Sequence, residues 1–312
     1  MAAVSKPQMD QKTLTAQVLL DRLGFGPGII DGKSGRGLTL ALKGFQQARE
    51  IPVTGKLDEA TAKLLSAYGT TPGVIEVTLT RSDVAGPFVG AIPTEAEDQA
   101  KLPTMGYANL MEKLSERFHT NNATLIALNS ATTRLYPGAK IRVPNVRPAA
   151  ISYSSDLKPE WRGMLAQLSV SSDQPKAAKV VVDKSDGVLR VLDCDGKLLA
   201  SFPATMGSEH DPLPIGTWKI QGAATLPPFH YNPKLFWDAD SSDEKQLLKP
   251  GPNGPVGVVW LDLNKPHYGI HGTSHPETIG RAESHGCIRL SNWDAARLSL
   301  MVKPGTPAVF QQ

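Results

Sequence analysis

The sequence predicts a multidomain α+β protein with a small three-helix N-terminal domain, a mixed middle segment and a β-rich C-terminal domain. The chain has 312 residues, which is long enough for two or three compact units. Apolar residues recur at helical spacing up to about residue 68. Runs of β-branched residues separated by Asp-Gly turns begin at residue 179. We therefore expect units at residues 10–69, 70–150 and 176–312.

The composition is that of an ordinary globular protein, with 40% hydrophobic and 20% charged residues. The net charge of +3 gives no argument for a nucleic-acid partner. No apolar run approaches the roughly 20 residues that cross a bilayer. The N-terminus lacks the hydrophobic core of a signal peptide. Taken literally this indicates the cytoplasm, and the alternative is a mature exported chain whose leader was replaced by Met1.

The residue pattern of the N-terminal unit predicts three helices. Leucine and valine residues at helical spacing place the first near residues 14–23, and the glycines and proline at 24–28 end it. The second helix carries Leu38, Leu42 and Phe45 on one face. Asp58 is expected to cap the third helix at its N-terminus.

The middle segment begins with alternation at residues 74–80, which predicts a strand. The proline- and glycine-rich stretch that follows is expected to be a connection. Two helices are expected around Leu114 and Leu125, and a short strand at residues 141–144.

The C-terminal domain predicts strands at residues 180–182 and 188–192, joined at Asp186 and Gly187, and a second hairpin turn at Asp195 and Gly196. Further strands are expected at residues 215–220 and 256–261, and a helix capped by Ser291.

The chain has two cysteines, too few for a disulfide framework. Cys194 follows a predicted strand, and we expect a small buried or half-buried side chain. Cys287 lies close to several histidines, and two chemistries use that mixture. A thiol near its usual pKa of about 8.5 needs an adjacent base to act as a nucleophile. A histidine supplies that base, because its own pKa lies near neutrality.

Metal binding is the second chemistry. His267, His271 and His275 are spaced by four, which would align them on a helix. The intervening Gly269 and Gly272, with prolines on both sides, argue against a helix. The sequence therefore predicts no metal site.

Two segments resemble modules that bind the bacterial cell wall. Residues 30–32, 45–46 and 53–58, with Thr61 and Leu64, resemble the peptidoglycan-binding domain that precedes many cell-wall enzymes. A three-helix bundle that binds nothing is the alternative. Residues 107–147, with the run 136–144, resemble a LysM module in part, although no first strand is evident before Tyr107. Sugar binding and a purely structural spacer are both open for this segment.

The C-terminal run of residues 268–273, 276, 279–280 and 284–294 closely resembles the L,D-transpeptidase catalytic domain, also called the YkuD domain. The resemblance implies a YkuD-type β-sandwich in which Cys287 is the nucleophile. It also implies that His271 gives and takes the proton. The backbone carbonyl of Gly272 would orient the imidazole, much as a third triad member does.

The same resemblance implies a substrate pocket and oxyanion hole around the nucleophile. Their expected residues are Thr273, Ser284, His285, Gly286 and Arg289. Arg289 would hold a substrate carboxylate by a bidentate pair, and a structural ion pair is the alternative.

The implied activity is a 3→3 cross-linking reaction between peptidoglycan stem peptides, through a cysteinyl thioester and without a cofactor. Its alternatives are an L,D-carboxypeptidase, attachment of an envelope protein to peptidoglycan, and a non-catalytic scaffold bound to the wall. The expected partners are stem peptides and glycan. The expected location is the periplasm or cell envelope, because the substrate lies there.

Overall fold

The computed structural model describes residues 9–68, 71–148, 153–237, 239–240 and 242–312. The N-terminal helices are α1 (Gln11–Arg22), α2 (Arg36–Ala48) and α3 (Glu59–Ser66). The side chain of Asp58 accepts a hydrogen bond from the Thr61 backbone N–H at 2.9 Å, so the predicted cap of α3 is confirmed. The predicted apolar face of α2 is also confirmed, because Leu38, Leu42 and Phe45 are buried.

The middle segment consists of a strand, four short helices and a second strand. They are β1 (Val74–Thr78), α4 (Arg81–Val84), α5 (Ala96–Lys101), α6 (Leu110–Arg117), α7 (Asn122–Leu128) and β2 (Lys140–Pro144). β1 pairs antiparallel with β2, and this places buried Val77 opposite buried Ile141. The stretch predicted as a mere connection thus contains two helices. The LysM-like interpretation of residues 107–147 is not confirmed: β1, the strand that pairs with β2, is separated from α6 by α4 and α5.

The C-terminal part begins with α8 (Pro159–Gln167) and ends with α9 (Asn292–Met301) and a last strand. Its strands are β3 (Lys179–Asp183), β4 (Val188–Leu192), β5 (Leu198–Pro203), β6 (Thr205–Met206), β7 (Gly216–Thr225), β8 (Phe229–Tyr231), β9 (Gln246–Leu248), β10 (Val259–Leu263), β11 (Gly269–His271), β12 (Ile288–Arg289) and β13 (Pro307–Gln311).

In the described residues, nine of these strands form one sheet in the order β5-β4-β3-β13-β7-β10-β11-β12-β6. The long strand β7 joins two halves, because its first part pairs with β13 and its second part with β10. Side chains from both halves, such as Val180 and Ile270, lie in one hydrophobic core with Trp293 of α9. A shared core between two half-sheets is what a β-sandwich requires.

Two sequence-based expectations for this part are wrong in detail. The strand expected at residues 256–261 begins only at Val259, because Gly257 N–H bonds back to the Gly254 carbonyl in a turn with φ of 58° at Gly257. Cys194 is exposed, since it lies in the turn between β4 and β5. Among the described helices, none is long and apolar enough to span a bilayer.

Candidate active site

His271 ends β11 and is 4% exposed. Its Nδ1 donates to the Gly272 carbonyl at 2.7 Å, which leaves Nε2 as the acceptor nitrogen of the neutral ring. Trp260 lies directly opposite on β10, and its ring stacks on the imidazole with centroids 5.6 Å apart. The hydrogen bond and the stacked ring together fix the orientation of His271.

Cys287 directly precedes β12, which runs parallel to β11 with Ile288 beside Ile270. Cys287 is therefore brought next to the strand that ends at His271. The thiol is half-buried and free, and it lies 3.7 Å from the backbone carbonyl of His267. Arg289 is the strand partner of His271, so three of the predicted residues meet at the junction of two adjacent strands.

The electrostatic environment keeps the Cys287 thiol and the His271 imidazole neutral. Burial raises the pKa of the Cys287 thiol, and the Gly269 backbone N–H and the Arg289 cation only partly oppose this. Burial lowers the pKa of His271 to about 4, and the hydrogen bond to Gly272 opposes that effect, while Arg289 adds to it. Near neutral pH the site thus holds a protonated thiol and an unprotonated imidazole.

Gly286 supplies a backbone conformation that the turn before Cys287 needs. Its φ is 84°, and a Cβ at this position would lie 2.6 Å from Cε1 of Tyr268. Only glycine fits both constraints.

Ser284 is 2% exposed, and its hydroxyl connects two backbone segments. Its Oγ accepts from the Gly207 N–H at 2.7 Å and donates to the Cys287 carbonyl at 2.6 Å. The side chain therefore holds the cysteine turn in place and does not face solvent.

The other predicted pocket residues have contacts of their own. Thr273 is buried, and its hydroxyl accepts from the His275 N–H at 3.2 Å. His285 is half-buried, with its ring 5.0 Å from Phe236 and 5.9 Å from Trp237. A guanidinium nitrogen of Arg289 donates to the Glu283 carbonyl at 3.2 Å.

The histidines that suggested a metal do not converge. His267 and His275 are exposed, and His275 pairs with Glu277 at 3.3 Å. Within the described ranges, no group of three histidine, cysteine or carboxylate side chains is arranged to hold a metal ion. The site is therefore built from a thiol, an imidazole, a guanidinium and backbone groups.

Trp260 and Tyr268 contact site residues, and neither is marked by the sequence as a residue with a role of its own. Trp260 was expected only as a strand residue, and its place opposite His271 depends on a strand register that the sequence does not reveal. Tyr268 lies within the motif itself. The sequence feature that could have indicated its role is Gly286, because the Tyr268 ring leaves no room for a Cβ at that position.

Two family models match the chain. The model described as the L,D-transpeptidase catalytic domain, YkuD, matches residues 177–310, and the model described as "Putative peptidoglycan binding domain" matches residues 10–65. Residues 177–310 are thus similar in sequence to the YkuD family. The site described above lies within the first matched segment, and the second matched segment precedes it in the same chain.

Individual relatives of this L,D-transpeptidase domain carry matching names. "Putative L,D-transpeptidase YkuD" of Bacillus licheniformis is 53% identical over 58 residues, which are 19% of this chain and 35% of the relative. "Putative L,D-transpeptidase YqjB" of Bacillus subtilis is 26% identical over 132 residues, 41% of this chain and 67% of the relative. A solved L,D-transpeptidase from Mycobacterium smegmatis is 26% identical, with a TM-score of 0.34, over 43% of this chain and 58% of that one. The chain spans about a third of the length of the curated relatives it matches first.

Proposed function

We propose that this protein is a peptidoglycan L,D-transpeptidase that forms 3→3 cross-links through a thioester on Cys287. The observation that carries the proposal is the neutral, buried His271. Its Nδ1 is committed to Gly272, and its strand lies beside the one that Cys287 precedes. An imidazole held in this way can take a proton from a nearby thiol, and the family match supplies the class of reaction.

In the first step, Cys287 attacks the carbonyl carbon of the third residue of a donor tetrapeptide while His271 takes the thiol proton. Backbone N–H groups of the turn at Gly286 and Cys287 stabilise the oxyanion. The C–N bond to the terminal D-Ala then breaks, His271 protonates the departing amine, and a thioester remains. Arg289 is close enough to Cys287 and His271 for its positive charge to lower the pKa of both groups. It is therefore suited to bind a carboxylate of the donor peptide at this site.

In the second step, the side-chain amine of the third residue of another stem peptide attacks the thioester. His271 takes the amine proton and returns a proton to the departing thiol. Water in place of the amine would give an L,D-carboxypeptidase, and an envelope protein would be attached if it supplied the amine. The peptidoglycan-binding domain holds the enzyme against the polymer, outside the cytoplasm.

The test is incubation with defined tetrapeptide muropeptides, followed by mass analysis. We expect a cross-linked dimer and free D-Ala. A shortened tripeptide alone indicates the carboxypeptidase, and no change indicates a scaffold. Cys287→Ala should reduce turnover by at least about 1,000-fold, because no other group can form the acyl-enzyme. It should also lose the covalent adduct expected with a carbapenem, while keeping its affinity for peptidoglycan.

Cys194→Ala is the matched control. Cys194 is exposed and follows β4, close to the sheet edge opposite the Cys287 strand, so this variant should keep full activity and the adduct. Full turnover by Cys287→Ala would remove the thioester mechanism.

A further inference from the structure

We propose that Glu116 of the middle segment is a positioning residue for His271 and acts on it through Asn292. The proposal rests on the role of His271 in the proposed function. Glu116 lies on α6, outside the matched catalytic domain, whereas Asn292 is the first residue of α9 within it. The middle segment would thus complete the active site instead of only linking two domains.

The contact between the two segments is buried. Oε1 of Glu116 accepts from Nδ2 of Asn292 at 2.8 Å, and Oε2 accepts from the Tyr107 hydroxyl at 2.5 Å. Glu116 is 9% exposed and Asn292 is fully buried. A carboxylate has only acceptors, so it can receive both hydrogen bonds, and these fix its position from two directions.

Three hydrogen bonds and the close approach of two glycines hold the side chain of Asn292. Its Nδ2 also donates to the Pro252 carbonyl at 3.1 Å, and its Oδ1 accepts from the Val258 N–H at 3.1 Å. A Cβ on Gly272 would lie 2.2 Å from Oδ1, and one on Gly257 would lie 2.0 Å from it. The amide therefore packs directly against the backbone of Gly272.

Gly272 passes this constraint to the imidazole. Its carbonyl accepts from His271 Nδ1 at 2.7 Å, and its N–H donates to the Val259 carbonyl at 3.2 Å. A displacement of the Asn292 amide would move the peptide of Gly272 and change the direction of its carbonyl. The imidazole would turn with it, and errors of about 1 Å in such a group cost roughly 100-fold in rate.

Burial of a carboxyl at this junction is costly to the fold. Burial raises the pKa of Glu116 to about 7, and the hydrogen bonds from Tyr107 and Asn292 oppose this. An apolar side chain of similar size would fill the space at a lower cost, so stability alone does not account for a glutamate here. Orientation of Asn292 does account for it.

The first experiment compares Glu116→Leu with Glu116→Gln, using acylation of Cys287 by a tetrapeptide muropeptide. Leucine removes the acceptor for Asn292 and should lower kcat about 10- to 100-fold, with KM within about threefold. Glutamine keeps an oxygen for Asn292 and should restore kcat to within about threefold of the wild type. An unchanged kcat in the folded leucine variant overturns the proposal.

The matched control is Asp83→Asn. Asp83 is buried and pairs with Arg117, the residue next to Glu116 on α6, at 3.1 Å. This variant disturbs the same helix without touching Asn292. It should lower the melting temperature and leave kcat unchanged; an equal loss of kcat would mean that Glu116 acts only through the stability of α6.

A second pair of variants covers the case in which Glu116→Leu does not fold. Asn292→Asp places a carboxylate against that of Glu116 and should lower kcat. Adding Glu116→Gln to the same chain supplies a hydrogen-bond donor to the new aspartate. The kcat of this double variant should be at least about threefold higher than that of Asn292→Asp alone. Additive losses in the double variant contradict the proposal.

NMR of the His271 ring separates this proposal from the proposed function. The Nδ1–H resonance of His271 reports the hydrogen bond to Gly272 whether or not the protein turns over. It should shift in Asn292→Asp and return in the double variant. Absence of acylation in the wild type would sink the proposed function alone, whereas an unmoved resonance in every variant would sink the positioning role.

Discussion

At the scale of single residues, Cys287 and His271 lie at two adjacent strands as a neutral thiol and a neutral imidazole instead of a preformed thiolate and imidazolium. Burial raises the pKa of the thiol and lowers that of the imidazole, so each shift favours the uncharged form. In the proposed reaction, Cys287 must then lose its proton as it attacks, and His271 would act as the general base of the first step. Arg289 is the charged group that tunes both pKa values.

This pair gives a prediction for the pH dependence of acylation. Protonated His271 cannot accept the thiol proton, so the rate should fall as the pH drops through about 4, well below the usual histidine value. Arg289→Gln removes a cation that lowers this pKa, so the acid limb should move to higher pH. Single-turnover acylation measured from acidic to neutral pH checks both expectations.

Arg142→Gln is the control for that measurement, because Arg142 is exposed on β2 and its loss should leave the profile unchanged. Arg289→Gln also removes the cation proposed to bind a carboxylate of the donor tetrapeptide. The KM for this peptide should therefore rise while the acid limb of the pH profile moves. An acid limb at or above the usual histidine pKa in the wild type would show that His271 is not buried as described.

The sequence marks the proposed catalytic residues more clearly than the residues proposed to position them. Cys287, His271 and Gly272 stand in a short, specific motif, and the hydrogen bond from His271 to Gly272 has the expected form. Glu116 and Asn292 carry no such signal, because 176 positions separate them and their contact depends on how the segments pack. An asparagine after a helix cap has no local feature that marks it.

At the scale of elements, β8, β9 and residues 232–237 form a flap beside the cysteine turn. Phe236 and Trp237 of the flap contact the ring of His285. The base of the flap is held by the stretch after α5, since Met105 N–H donates to the Pro250 carbonyl at 3.1 Å and Lys249 donates to the Leu102 carbonyl at 2.8 Å. The middle segment thus contacts the flap as well as Asn292.

Gly251→Ala should loosen this base. A Cβ at Gly251 would lie 2.0 Å from the Met105 carbonyl oxygen, so the two stretches must separate, at a cost of about 1–3 kcal/mol. Hydrogen exchange should then rise roughly tenfold in residues 246–253 and 103–107. Gly222→Ala in β7, where a Cβ meets nothing within 4 Å, is the matched control. Equal exchange in the two variants would mean that the flap does not depend on this contact.

Elements defined by local pattern are the ones that the sequence predicts correctly. Helices α1, α2 and α3 follow from apolar spacing and the Asp58 cap, and β3, β4 and β5 follow from Asp-Gly turns. The pairing of β1 with β2 and the insertion of β13 between β3 and β7 do not follow, because these partners are distant in the sequence. Long-range register is set by packing, which periodicity does not encode.

At the scale of the whole molecule, a buried ionic cluster joins the three segments. Asp21 of α1 receives two hydrogen bonds from Arg297 of α9, at 2.8 and 2.9 Å. His119 of the middle segment lies between Asp21, at 3.1 Å, and the Leu168 carbonyl, at 2.7 Å. Through these two contacts the ring of His119 links α1 to the residue that follows α8 and completes the cluster.

Asp21→Asn should destabilise the protein by about 3–5 kcal/mol near neutral pH, because the buried Arg297 loses one of its two carboxylate partners. Although burial opposes ionisation, Arg297 and His119 hold the pKa of Asp21 well below its usual 3.8. The stabilisation by ionised Asp21 is therefore present at pH values above 3.8 and is lost as the pH falls below that value. Urea unfolding should show that the free energies of unfolding of the wild type and the variant converge in acid.

The control is Glu97→Gln, which breaks an exposed ion pair with Lys101 and should destabilise the protein far less. If Asp21→Asn cost no more than this control, the cluster would not hold the three segments together.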